Sequence, residues 1–253
     1  IEACLVGSEM CIRDRNDAAY SKGDDWYERF FLTFGSKKYD KTVAFDATPA
    51  NLYLPYVPER IKKYRSDMKI IILLREPVSR AYSAWNMLKE NYDKYHSKSF
   101  KIVRQFIPAY IRNSPATQNM KTELFEVPAY PSFEEVVAKE MDKIKHGSPH
   151  YEPSFLRRGF YAEQIKRYYE HFPKEQILIL SSKLLKTDLE NQLNRILNFI
   201  DLPNYDWSKL EKQQKNAYKY SEPINTDIKA KLQAFYEPYN KQLFELLGEE
   251  IKW

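Results

Sequence analysis

Five consecutive apolar residues, Ile70 to Leu74, stand between Lys69 and Arg75. An unbroken run of this length predicts a strand buried on both faces, as in a parallel sheet. Gln176 to Ser181 (QILILS) predicts a second strand, and Thr42 to Asp46 (TVAFD) a shorter one. Between them the apolar spacing turns helical. Lys22 to Leu32 carries Trp26, Phe30 and Phe31 on one side, and a helix opening at Pro58 carries Arg60, Ile61 and Tyr64. Further helices are predicted from Pro77 to about Tyr92 and from Gly159 to Phe172. Ser132 to Glu135 reads as a capping box opening a helix that reaches about Lys145. Thr187 to Glu190 reads as another, ahead of Leu189, Leu193, Ile196, Leu197 and Ile200 at inward helical spacing. A last helix spans about Asn225 to Leu247 and stops at Gly248. Alternating strands and helices predict an α/β fold with a parallel sheet joined by right-handed crossovers.

The pattern loosens between Asp93 and Pro131, which carries Pro108, Pro115 and Pro128. A lid over an acceptor and a plain insertion are both compatible with it. The first fifteen residues, IEACLVGSEMCIRDR, differ from the rest and hold both cysteines, Cys4 and Cys11. They resemble translated adapter sequence, so the expectation is a non-native leader over 1–15 and one domain over 16–253. No disulfide or metal argument is built on those cysteines.

Composition adds modest constraints. Among 253 residues, 40 Lys and Arg face 35 Asp and Glu, a net charge of +5 spread along the whole length. This suits an anionic ligand without the clustering typical of nucleic-acid binders. No apolar run approaches the ~20 residues that span a bilayer. The 20 Tyr and 14 Phe are read as core and rim packing.

Chemistry concentrates where the first long strand ends. Arg75 lies at its carboxyl edge and Pro77 suits the first turn of the next helix. Ligands of open α/β sheets bind at that edge, and helix N-termini favour anions. Ser79 and Ser83 are four apart and Arg80 and Ser83 three apart, so they can share one helical face. The residues written here suit a phosphate.

Several segments together resemble the sulfotransferases that use 3'-phosphoadenosine 5'-phosphosulfate (PAPS), in the branch of glycan (heparan-type) enzymes and their bacterial relatives. The segments are GDDWYERFF, FDATPANL, LREPVSRAYSAW, RRGFYAEQIKRYYEHFP with QILIL, and LLGEEIKW, in family order. The resemblance implies a three-layer, P-loop-like sheet flanked by helices. It implies that Arg75 and Ser83 hold the 3'-phosphate of PAPS, with Arg80 contributing charge, Tyr161 near the adenine, and Lys215 and Lys219 in a loop over the phosphates. It implies PAPS as co-substrate, no metal, and an acceptor that includes carbohydrate. A bacterial cytoplasmic location is the matching expectation.

Alternatives stand beside each role: Arg75 pairing with Glu76 or another surface carboxylate, Ser83 as a small residue at a helix contact, Arg80 solvated or in an ion pair, Tyr161 in ordinary packing, and the two lysines solvated. Asp46 and Thr48 are the candidates at the reaction centre, a carboxylate able to orient or deprotonate an acceptor hydroxyl. Asp46 as a cap for the turn before Pro49 is the competing reading.

The sequence also departs from the family. None of its six glycines (Gly7, Gly23, Gly35, Gly147, Gly159, Gly248) lies in a Lys-x-Gly-Thr-Thr loop that would bind the 5'-phosphosulfate. The Lys-Glu element before the Trp-Tyr helix is missing, and Ala47 stands where relatives often carry lysine. The expectation is a chain lacking the first strand and phosphate loop, inactive by itself. His96, His146, His150 and His171 fall outside every matching motif. Two rival readings are a P-loop nucleotide kinase or NTPase, for which no Walker loop is found, and a non-enzymatic basic, aromatic nucleic-acid-binding domain.

Overall fold

The structure is a computed structural model that describes residues 17–32, 45–96, 115–148, 153–207 and 222–253. The leader, Thr42 to Ala44 of the short predicted strand, residues 97–114 of the loosened segment, and Lys215 and Lys219 lie outside the described residues.

Helices α1 (Asp17–Tyr20), α2 (Asp24–Leu32), α3 (Ala50–Tyr53) and α4 (Val57–Tyr64) lead into strand β1 (Ile70–Leu74). Helix α5 (Pro77–His96) leaves its end, and α6 (Pro115–Met120) continues into a single π-helical turn over Lys121–Phe125. Then come α7 (Phe133–Lys145), α8 (Tyr161–His171), β2 (Ile177–Ser181), α9 (Leu184–Thr187), α10 (Leu189–Phe199) and α11 (Thr226–Leu247). Among the described residues β1 and β2 form a two-stranded parallel sheet, with Ile70 opposite Ile177 and Leu74 opposite Ser181. The α/β class expected from the alternation is what forms.

The expectation of a strand buried on both faces holds for one face only. Ile72 and Leu74 are buried, but Ile71 is 42% and Leu73 52% exposed. Side chains alternate across a strand, so the inward pair packs on α8 while the other pair faces away from it. The inward face meets Tyr161, Ile165, Tyr168 and Phe172 of the α8 segment and Leu243 of α11. A second core gathers Val78, Ala81 and Trp85 of α5 with Phe133, Val136 and Val137 of α7, and Leu232 and Tyr236 of α11.

Local chemistry sets the helix ends. Ser132 and Glu135 form the predicted capping box, each side chain bonding the other's backbone N–H. The box predicted at Thr187 does not form. Thr187 closes α9, and its hydroxyl donates back to the Lys183 carbonyl. Asp188 instead precedes α10 and accepts from the Asn191 and Gln192 side chains. Gly248 ends α11 at φ 75°, a left-handed conformation glycine adopts without Cβ strain.

One buried carboxylate organises the loop ahead of α8. Glu140 of α7 is 1% exposed. It accepts from the Ser154 hydroxyl and from the backbone N–H groups of Phe155, Leu156 and Arg157, at 2.6–3.0 Å. An acceptor with several charge-assisted donors tolerates such burial, and four donors that would otherwise stand unpaired are satisfied.

Candidate functional site

Both strands run parallel, so both deliver their carboxyl ends to one side of the sheet. Leu74 is followed by Arg75 and Glu76, and Ser181 by Ser182 and Lys183. The Ser182 N–H donates to the Leu74 carbonyl at 2.7 Å, which extends the pairing to the strand tips. There the chain leaves a cleft of about 200 Å³ lined by Arg75, Glu76, Ser79, Ser181, Ser182, Lys183, Lys186 and Trp253. Three cations and three hydroxyls therefore face one space, beside a single carboxylate.

That carboxylate is already engaged. Glu76 accepts from the backbone N–H groups of Val78 (2.9 Å) and Ser79 (2.6 Å), and from the Ser79 hydroxyl (2.6 Å). This revises the expectation that the start of α5 presents unpaired N–H groups to a ligand. A tethered carboxylate fills the position an external anion would take, the usual preference of a helix N-terminus for negative charge. It also removes the alternative in which Glu76 pairs with Arg75. Among the described residues, the Arg75 guanidinium makes no hydrogen bond or ion pair. Its side chain is half-buried at the cleft.

The main chain of Arg75 is fixed from below. Tyr161 opens α8, is 3% exposed, and its hydroxyl donates to the Arg75 carbonyl at 2.7 Å. Burial pushes the Tyr161 hydroxyl's pKa up, which keeps it a proton donor in this bond. The resemblance sets this tyrosine beside an adenine; here its ring belongs to the core and its hydroxyl braces the strand end.

Arg80 turns away from the cleft. Its guanidinium donates to the Phe155 carbonyl, tying α5 to the loop that Glu140 organises. Its Nε is buried without a partner. Ser83 is half-buried on α5, one turn beyond Ser79, and is not one of the residues lining the cleft.

Asp46 and Thr48 lie together in the turn before Pro49, the Thr48 hydroxyl donating to the Asp46 carboxylate. Tyr27 of α2 donates to the other carboxylate oxygen at 3.1 Å, which joins the Trp-Tyr segment to the Asp-Ala-Thr-Pro segment. Burial raises the Asp46 pKa above its ordinary value, opposed by the hydrogen bonds from Thr48 and Tyr27. Neither Asp46 nor Thr48 lines the cleft.

Helix α8 links the two places. Tyr161 bonds the Arg75 carbonyl, and Tyr168, seven residues on, donates to the Asn51 carbonyl at 3.0 Å. Seven residues of α-helix advance about 10 Å. Arg167 adds a bond from its guanidinium to the Tyr53 carbonyl at 2.9 Å. The helix thus holds the turn after Asp46 at a set distance from the end of β1.

Reading the sequence around one strand missed Ser182, Lys183, Lys186 and Trp253. The signal was present: Ser182 and Lys183 follow QILILS as Arg75 follows IIILL. The C-terminal segment reaches the same place through its backbone. The Ser181 hydroxyl donates to the Lys252 carbonyl at 2.6 Å, and the Lys183 ammonium to the Trp253 carbonyl.

Comparison with known proteins agrees with this architecture. The family described as "Sulfotransferase domain" matches residues 50–237. The chain is 22% identical over 259 residues to mouse heparan sulfate glucosamine 3-O-sulfotransferase 5, covering 94% of this chain and 63% of that protein. It is 24% identical over 276 residues to the membrane-associated sulfotransferase kil1 of Dictyostelium discoideum, covering 92% of this chain and 58% of that protein. The chain thus spans about three fifths of the length of these relatives. A crystal structure of a sulfotransferase from Alicyclobacillus acidocaldarius superposes with a TM-score of 0.58 at 22% identity, over 96% of this chain and 82% of that one, a likeness of fold. With the family match running from the start of α3 into α11, the chain belongs to the sulfotransferase family.

Proposed function

We propose that this protein binds PAPS with a phosphate at Arg75 and serves transfer of its sulfuryl group to a hydroxyl or amine of an acceptor, with a glycan as the leading class. The observation that carries the reading is the half-buried guanidinium of Arg75, without a hydrogen bond or ion pair among the described residues, at the carboxyl ends of two parallel strands. A half-buried cation without a protein counterion is costly, and a bidentate phosphate supplies the missing charge and acceptors. Heparan sulfate 3-O-sulfotransferases among the relatives favour the glycan acceptor.

In the transfer, the acceptor oxygen or nitrogen forms a bond to sulfur as the bond from sulfur to the 5'-phosphate oxygen breaks. The acceptor's proton passes to a base, and adenosine 3',5'-bisphosphate leaves. Asp46, its pKa raised by burial and its carboxylate steadied by Thr48 and Tyr27, is the proposed base. Ser83, one turn beyond Ser79 on α5 and outside the lining of the cleft, belongs to the reading only as a contact for a phosphate that extends past Ser79 along the helix. Lys215 and Lys219 remain part of the reading as cations over the phosphates.

The test is a binding measurement, because no Lys-x-Gly-Thr-Thr loop occurs among the 253 residues and turnover by this chain alone is not expected. Adenosine 3',5'-bisphosphate is expected to bind and to raise the melting temperature, while adenosine itself does neither. Equal binding of adenosine would remove the phosphate from the reading.

A further inference from the structure

Helix α5 begins with its donors taken by Glu76, so a phosphate at Arg75 must find its remaining charge elsewhere. The opposite strand supplies it. Lys186 lies on α9, directly after β2, lines the same cleft as Arg75, and is exposed. Its ammonium has no hydrogen bond or ion pair among the described residues. Lys183, one turn earlier, differs: it donates to the Trp253 carbonyl and so ties the C-terminal segment to the cleft.

We propose that Lys186 is a phosphate-binding residue, completing from the end of β2 the anion site that Arg75 opens from the end of β1, with Lys183 and Trp253 as the wall that bounds it. The proposal rests on the nucleotide reading above and extends it to residues outside the LREPVSRAYS segment.

First, three cations, Arg75, Lys183 and Lys186, line the cleft against one side-chain carboxylate, Glu76, a net charge of +2, and the acceptor capacity of Glu76 is taken by three neutral donors; a doubly charged phosphate matches that surplus. Second, the volume of about 200 Å³ is below the ~300 Å³ at which whole drug-sized ligands begin to fit, so it accommodates the phosphate end of a nucleotide and leaves the base outside. Third, the segments that follow the two strands are joined by the Ser182 N–H to Leu74 carbonyl bond, so Arg75, next after β1, and the start of α9, which carries Lys186, leave the sheet on the same side. Lysine here acts as a mobile point charge, where Arg75 supplies the planar fork.

The experiment measures dissociation constants for adenosine 3',5'-bisphosphate, adenosine 5'-monophosphate and adenosine by calorimetry. It compares the unmodified chain with Lys186→Ala, Lys186→Arg and Arg75→Ala, at low and moderate salt. The expected result is about 5–10-fold weaker bisphosphate binding in Lys186→Ala, a loss that shrinks as salt screens the charge, and recovery in Lys186→Arg. Lys186 is exposed and unbonded, so its removal leaves the melting temperature of the unliganded protein unchanged; a drop would count against the assignment. Bisphosphate binding lost in Arg75→Ala yet unchanged in Lys186→Ala overturns this inference alone. No bisphosphate binding by the unmodified chain overturns the nucleotide reading beneath it.

Discussion

Arg75 and Glu76 are adjacent, oppositely charged and differently employed. Glu76 caps a helix, and Arg75 is left facing a cleft. Removing the cap tests this division: Glu76→Ala should cost about 1 kcal/mol in denaturant unfolding, the usual value of an N-cap, and should not weaken phosphate binding. A larger loss of binding than of stability would mean the carboxylate positions the ligand. Asp46 gives a pH prediction. Its pKa is raised in the folded state, so the protonated form is favoured there. Its stabilising contribution is complete below the unfolded value near 3.8 and is lost as pH rises through the folded value. Asp46→Asn should flatten that decline in a pH series of unfolding curves. A decline of the same size in the variant would place the titration elsewhere.

At the scale of elements, β1 and the loop before α8 make opposite demands on their residues. Ile72 and Leu74 point at α8, whereas Ile71 and Leu73 are largely exposed. Leu74→Ala should cost about 2–5 kcal/mol, and Leu73→Ser within about 0.5 kcal/mol, by chemical denaturation. Equal losses would show that both faces of the strand are covered. Glu140 satisfies four donors, and its replacement by Ala strands them in the interior. A loss of about 3 kcal/mol or more is expected, which Gln cannot fully restore because its amide group donates where acceptors are needed.

The helices, the capping box at Ser132 and the strand ends were legible because each rests on neighbours in sequence. Glu140 was not, since its donors lie fourteen to seventeen residues away and nothing in a helical pattern marks one glutamate as buried. The box at Thr187 was misread for a related reason. Its letters fit, but a short helix ending on that residue had already claimed the hydroxyl. The single apolar run of β1 could not say which face would be covered.

For the whole molecule, Gly159 marks where three elements meet. A Cβ there would stand 2.8 Å from the Tyr236 ring and 3.1 Å from Pro77 Cβ. Tyr236 in turn donates to the Leu156 carbonyl at 2.8 Å. Through this point α5, the loop ahead of α8 and α11 share one packing constraint. Gly159→Ala should therefore destabilise the protein by about 1–3 kcal/mol, read as a lower melting temperature.

The candidate site depends on the same geometry, because Tyr161, two residues on, holds Arg75 by its carbonyl. Sequence reading found Arg75 from its place after a strand, but it could not show that a second strand's end, the Glu76 cap and the C-terminal segment surround it. Those relations join residues up to 178 positions apart, between Arg75 and Trp253, and only the fold brings them together.

The central claim is that an uncompensated guanidinium at the strand ends grips a nucleotide phosphate. The most direct measurement is calorimetric titration of the chain and of Arg75→Ala with adenosine 3',5'-bisphosphate. The account predicts saturable binding to the first and a loss of at least about tenfold in the second, equivalent to ~1.4 kcal/mol, with the fold intact by circular dichroism. Equal affinity in the two proteins would contradict it.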